Sequence, residues 1–160
     1  MKRKMRMGWF SFSCCEDSSI VFTELLNDHY DKWKNLIDIR YARILKKNND
    51  MNDLDVAFVE GAISTKSSEL KLKKIRKNCQ KLVAVGSCAV TGLPSGQRNN
   101  FNAKIRKEIS SALDSYDYRD KVAAVGEIVK VDEKVPGCPM NEGIFLNIMD
   151  KCIKEFAKDA

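Results

Sequence analysis

The chain has 160 residues, 44% of them hydrophobic, and its 28 lysines and arginines exceed its 22 acidic residues for a net charge of +6. That length can bury a core without disulfide staples, so six cysteines need another explanation. The positive excess is spread through segments such as KLKKIRK without the interleaved aromatic platform of a nucleic-acid binder, and no apolar run approaches the ~20 residues of a membrane span.

In chain order, MKRKMRMGWFSFSCC starts basic, but Arg6 interrupts its short apolar run and no small-residue cleavage site, arginine pair or lipoprotein-type pattern follows. The expectation is a cytoplasmic protein without membrane insertion, where thiols stay reduced and clustered cysteines point to metal or catalysis. Trp9, Phe10 and Phe12 read as the core of a first strand that meets Cys14 and Cys15. EDSS then opens a helix over residues 18–33, with apolar positions at Val21, Phe22, Leu25 and Leu26. His29 lies within it and reads as a surface or interface residue.

LIDIRYARI, residues 36–44, alternates as a strand does. DVAFVEG (55–61) and KLVAVGSC (81–88) are short valine-rich runs that read as strands buried on both faces, and VAAVGEIVKV (122–131) is a longer run of the same kind. Between them SSELKLKKIRKNC places Leu72, Ile75 and Cys79 on one helix face. TGLPSGQRNN is the one long loop, and FNAKIRKEISSAL repeats Ile105, Ile109 and Leu113 at helical spacing. The last helix, NEGIFLNIMDKCIKEF, aligns Phe145, Met149, Cys152 and Phe156. Strands alternating with helices predict one α/β domain over residues 1–160, a doubly wound parallel sheet in three layers.

Cys79 and Cys152, on apolar helix faces, read as core packing. The other four do not. Cys14 and Cys15 follow the first strand, Cys88 follows LVAVGS, and Cys138 lies in VPGCPM after the last strand. Carboxyl ends of parallel strands share one edge, so four thiols from three segments converge there. Glycines and prolines around Cys88 and Cys138 let the backbone approach a bulky group and aim N–H donors at sulfur. Zinc, an iron-sulfur cluster and coincidence are the open readings. Adjacent ligands would crowd one tetrahedral ion but can reach two irons of a cubane, and no C-x2-C pair of the structural-zinc type is present.

DVAFVEGAIS, LVAVGSCAVTG and VPGCPM, in this order after the cysteine-bearing first strand, resemble the small subunit of nickel-iron hydrogenases and its relative, the cluster-bearing 20 kDa subunit of respiratory complex I. The likeness runs from residue 7 to about residue 156. It implies a flavodoxin-like domain that holds a proximal 4Fe-4S cluster against a large, nickel-iron-type partner subunit and relays electrons one at a time, inactive alone as an oxidoreductase. Without the extra cluster domain of longer relatives, a further electron-carrier subunit is implied. By motif, Cys15, Cys88 and Cys138 match ligands. In CEDS, Ser18 stands where soluble hydrogenases have a cysteine, and Cys14 next door resembles the tandem cysteines of the complex I branch, which makes Cys14 the expected fourth ligand. Ligation by Ser18, a three-cysteine cluster with an open iron, and no cluster are the alternatives. The last would make the chain a non-catalytic paralogue or assembly module, and a complex-I-like quinone oxidoreductase is the other alternative. Glu60, in VEGAIS, is expected either beside the cluster or partner surface or as a helix-capping or solvent-facing carboxylate.

Overall fold

A computed structural model describes residues 3–157. Its central strand, β3 (Leu54–Glu60), is buried along its whole length, and its side chains alternate between two cores. Val56 and Phe58 enter one, Ala57 and Val59 the other, the period of two that a sheet covered on both faces imposes. Around it lie β1 (Met5–Ser11), β2 (Ile37–Ala42), β5 (Cys79–Val85) and β7 (Glu133–Val135), all parallel, in the order β2-β1-β3-β5-β7. This is the flavodoxin-like doubly wound order.

Helices α1 (Asp17–Asp28) and α6 (Glu142–Phe156) cover one face. There Trp9 stacks on Phe22 with centroids 4.4 Å apart and meets Phe145 edge-on at 6.1 Å. Helix α3 (Lys66–Lys77) covers the other through Leu72 and Ile75, with Ala89 of α4 (Gly86–Thr91). At the amino edge the buried Asp55 carboxylate accepts from the guanidiniums of Arg3 (2.6 Å) and Arg6 (3.1 Å), the Arg6 backbone N–H (2.8 Å) and Gln80 (3.1 Å).

Three expectations change. Residues 122–131 do not form a strand of the main sheet. The run starts inside β6 (Tyr118–Ala123), which pairs antiparallel with the short β4 (Ile63–Thr65), then breaks into a 3-10 turn at Val125–Glu127 where the Glu127 carboxylate accepts the Ala124 N–H at 2.6 Å. The fifth strand is β7, led in by Asp132, whose carboxylate and N–H bond the Leu82 N–H (2.8 Å) and C=O (2.9 Å). The helix over 18–33 divides at His29 into α1 and α2 (Tyr30–Trp33), and His29 stacks on Trp33 with centroids 5.0 Å apart. Cys79 opens β5 instead of closing α3, although it is buried as expected. Helix α5 (Ala103–Ser115) carries the predicted stripe, but none of its residues is buried.

Candidate functional site

Four parallel strands, β1, β3, β5 and β7, end on one edge, and the functional residues sit on the turns that leave it. β1 stops at Ser11. Phe12 and Ser13 run on beside residues 60–62, with the Phe12 N–H donating to the Glu60 C=O at 2.8 Å and Ser13 pairing both ways with Ala62 at 3.1 and 2.9 Å. Gly61 permits this approach: at φ +91° it is left-handed, and a Cβ there would lie 2.8 Å from the Phe12 carbonyl carbon. The chain bends at Cys14 and turns left-handed at Glu16 (φ 65°) before α1 begins. Because no regular strand passes through Cys14 and Cys15, they escape the alternation that would send neighbours to opposite faces.

Cys14, Cys15, Cys88 and Cys138 line a single cleft, together with Asp17, Ser18, Glu60, Gly86, Ser87 and Gly137. Cys88, in the first turn of α4, is buried and its sulfur lies 3.1 Å from the Ser95 hydroxyl. Cys14 is half-buried, and Cys15 and Cys138 are exposed. The segments that carry these thiols are tied to one another. The Ser87 N–H donates to the Gly137 C=O at 2.7 Å, and the Met140 N–H donates to the Ser18 hydroxyl at 3.2 Å. Gly137, at φ +114°, has its Cβ position 2.5 Å from the Pro139 C=O, so only glycine fits beside Cys138.

Glu60 closes the base of the cleft, only 3% exposed. Its Oε1 accepts the N–H groups of Ser18 (3.1 Å) and Ser19 (3.3 Å), and its Oε2 accepts the Ser19 hydroxyl at 2.6 Å, while Trp9 Nε1 donates to Ser19 Oγ at 2.7 Å. The N-terminus of α1 has no cap from its own N-cap residue, so a carboxylate from β3 takes that role across 42 positions of sequence. Of the roles expected of Glu60 the structure shows helix capping, and it places the same carboxylate in the thiol cleft. Ser18 is not the cap; it is a strut between α1 and the Cys138 loop.

The electrostatics of the cleft are one-sided. Burial, then the Glu60 carboxylate, pushes the Cys14 thiol up to about 12. At Cys15 the Asp17 N–H favours the thiolate, but partial burial and the Asp17 carboxylate outweigh it and the net shift is also upward. Left alone, such thiols stay protonated; a strongly electropositive centre is what would draw their protons off. Among the described residues no three histidine, cysteine or acidic side chains converge on a point as one metal ion requires. The thiols ring a cleft instead. Cys79 and Cys152 lie outside it, each pushed up to about 11 by burial, and His29 does not line it. Sequence reasoning missed the Ser18 to Met140 tie, for which no local pattern exists.

The sequence profile described as NADH ubiquinone oxidoreductase, 20 Kd subunit, matches residues 14–152. One subunit of the F420-non-reducing hydrogenase vhu of Methanococcus voltae is 26% identical over 94% of this chain and 58% of its own length. Sulfhydrogenase 2 subunit delta of Pyrococcus furiosus is 27% identical over 97% of this chain and 66% of its own length. The chain therefore spans roughly 58 to 66% of these curated relatives. A chain from the crystal structure of an NAD+-reducing NiFe-hydrogenase in the H2-reduced state superimposes with a TM-score of 0.77 at 21% identity, covering 99% of this chain and 96% of that one.

Proposed function

The chain belongs to the NADH ubiquinone oxidoreductase 20 Kd subunit family, and from that premise we propose that it is an electron-transfer subunit holding one 4Fe-4S cluster through Cys14, Cys15, Cys88 and Cys138. The observation that carries the reading is the meeting of these four thiols, from three separate segments, in one cleft at the carboxyl edge of the sheet. Their spread around a cleft suits a group of several atoms better than a zinc ion. When bound, the cluster supplies reversible one-electron chemistry.

The protein's own part is to hold and insulate. The ties Ser87 to Gly137 and Met140 to Ser18 fix the relative positions of α4, which carries Cys88, the Cys138 loop and α1, so the ligand set is pre-organised. Glu60 orders the start of α1, which follows directly on Cys14 and Cys15. Trp9, Phe22, Phe58 and Phe145 pack an aromatic layer beneath that helix and keep water from that side. Ser18, whose hydroxyl already receives the Met140 N–H, keeps its structural bond, and Cys14 supplies the fourth sulfur.

The partner is a large subunit of the nickel-iron type. Relatives are hydrogenase subunits, and exposed Ile20, Leu93 and Ile144 stand on three segments that leave the thiol edge, apolar surface suited to a covering subunit. A further electron-carrier subunit completes the relay, in the cytoplasm, where free thiols stay reduced. No helix of the described residues is long and apolar enough to cross a membrane. The tandem Cys14–Cys15 favours a second reading, a complex-I-like quinone oxidoreductase, and the identity of the large partner separates the two. Electron paramagnetic resonance of the anaerobically purified, dithionite-reduced protein tests the cluster: a signal lost in Cys88→Ala and in Cys138→Ala supports it, and a signal indifferent to both contradicts it.

A further inference from the structure

A second cleft of about 150 Å³ opens over the carboxyl ends of β1 and β2, lined by Trp9, Ser11, Glu16, Ser19, Tyr41, Arg43, Ile44 and Lys71. It contains none of the four cysteines. Pairing between β1 and β2 ends at Trp9 and Ala42, while β1 runs on to Ser11, so the strands part here and leave the gap. Two cations, Arg43 and Lys71, line it together. Lys71 Nζ lies over the faces of Phe12 (5.7 Å) and Tyr41 (5.6 Å) and reaches only the Tyr41 hydroxyl, at 3.4 Å. Neither Lys71 nor Arg43 makes an ion pair with any described carboxylate, although Asp55, Asp132 and Glu69 each engage a cation elsewhere. Glu16 lines the same cleft without bonding to either.

We propose that this cleft is a binding site for a small oxyanion, a phosphate or a carboxylate, held between Arg43 and Lys71 with its body against Ile44. Guanidinium and ammonium supply complementary recognition, the first a planar fork and the second a point charge set by two aromatic faces. Most of the lining is polar or charged, and the exposed Ile44 offers an apolar contact to an anion that carries a short carbon or ester body. Glu16 disfavours ligands of high negative charge, which limits the class to mono- and dianions. The site draws on β1, the turn after β2, the start of α1 and α3, and it contains none of the cysteines proposed to hold a cluster.

Isothermal titration calorimetry of the full chain with inorganic phosphate and with succinate, each against sodium chloride at matched ionic strength, tests this. One-site saturation by phosphate identifies a phosphate site and by succinate a carboxylate site. The affinity falls at least tenfold in both Arg43→Ala and Lys71→Ala, and is unchanged in Lys47→Ala, an exposed lysine outside the cleft. Near-UV circular dichroism verifies that the variants are folded. Absence of saturable heat with both anions, or wild-type affinity in either cleft variant, overturns the proposal.

Discussion

Replacing Glu60 tests how the thiol edge is held together. The carboxylate is buried and receives two backbone N–H groups and the Ser19 hydroxyl, all at 2.6–3.3 Å. In Glu60→Ala the Ser18 and Ser19 N–H groups lose their acceptor in a buried place, at about 1–3 kcal/mol per unsatisfied group, and the start of α1 loses a negative charge worth up to ~2 kcal/mol. Part of this is recovered by relaxation, so a net destabilisation of about 3–5 kcal/mol is expected. Glu60→Gln keeps one oxygen for the two N–H groups. Its new NH2 can donate to Ser19 Oγ, which has a lone pair left after accepting the Trp9 N–H, so the loss is mainly that of charge, about 1–2 kcal/mol. In urea, with a slope of about 2 kcal/mol per molar, the midpoint falls by roughly 1.5–2.5 M for alanine and 0.5–1 M for glutamine. If both variants shift the midpoint equally, or alanine costs less than about 1 kcal/mol, the cross-chain cap is not what orders α1.

Position 14 and position 18 separate cleanly. Cys14→Ser lowers the iron bound per chain, whereas Ser18→Ala keeps it and costs about 1–3 kcal/mol through the orphaned Met140 N–H, read by iron assay and urea unfolding; the reverse pattern would make Ser18 the ligand. In the metal-free protein Cys14, pushed up to about 12, holds its proton when folded and releases it near 9 when unfolded. Its contribution is fully present below about pH 9 and is lost as pH rises towards 12, so the urea midpoint falls between pH 8 and 10.5, and falls less in Cys14→Ala. Asp55→Ala leaves the Arg6 backbone N–H without its acceptor, while the guanidiniums of Arg3 and Arg6 keep the Phe156 C=O and Asp53, and destabilises by about 1–3 kcal/mol in urea.

The elements legible in the sequence are those whose local pattern and tertiary role agree. DVAFVEG and KLVAVGSC are apolar throughout because both faces of β3 and β5 are covered, and their glycines mark the shared edge from which the cysteine turns depart. That made the meeting of Cys14, Cys15, Cys88 and Cys138 readable without coordinates. VAAVGEIVKV failed because Ala124 and Val125 stay buried past the end of β6 as they would in a continuing strand, so composition does not separate the two. The true edge strand, EKV, is too short to announce itself and depends on Asp132 gripping Leu82, 50 positions away. Separation in sequence likewise hid which helix Glu60 caps, 42 positions away, and the strut at Ser18, whose partner lies 122 positions on. The stripe of α5 was legible, but its lack of cover was not, since periodicity states which face is apolar and not what lies against it.

The central claim, that the thiol edge carries a cluster, is tested most directly by iron and acid-labile sulfide in the full chain purified anaerobically with its partner subunit. The account predicts about four of each per chain in excess of any metal bound by the partner, the full complement of one cubane. A complex containing neither, or zinc in place of iron with no sulfide, would contradict it.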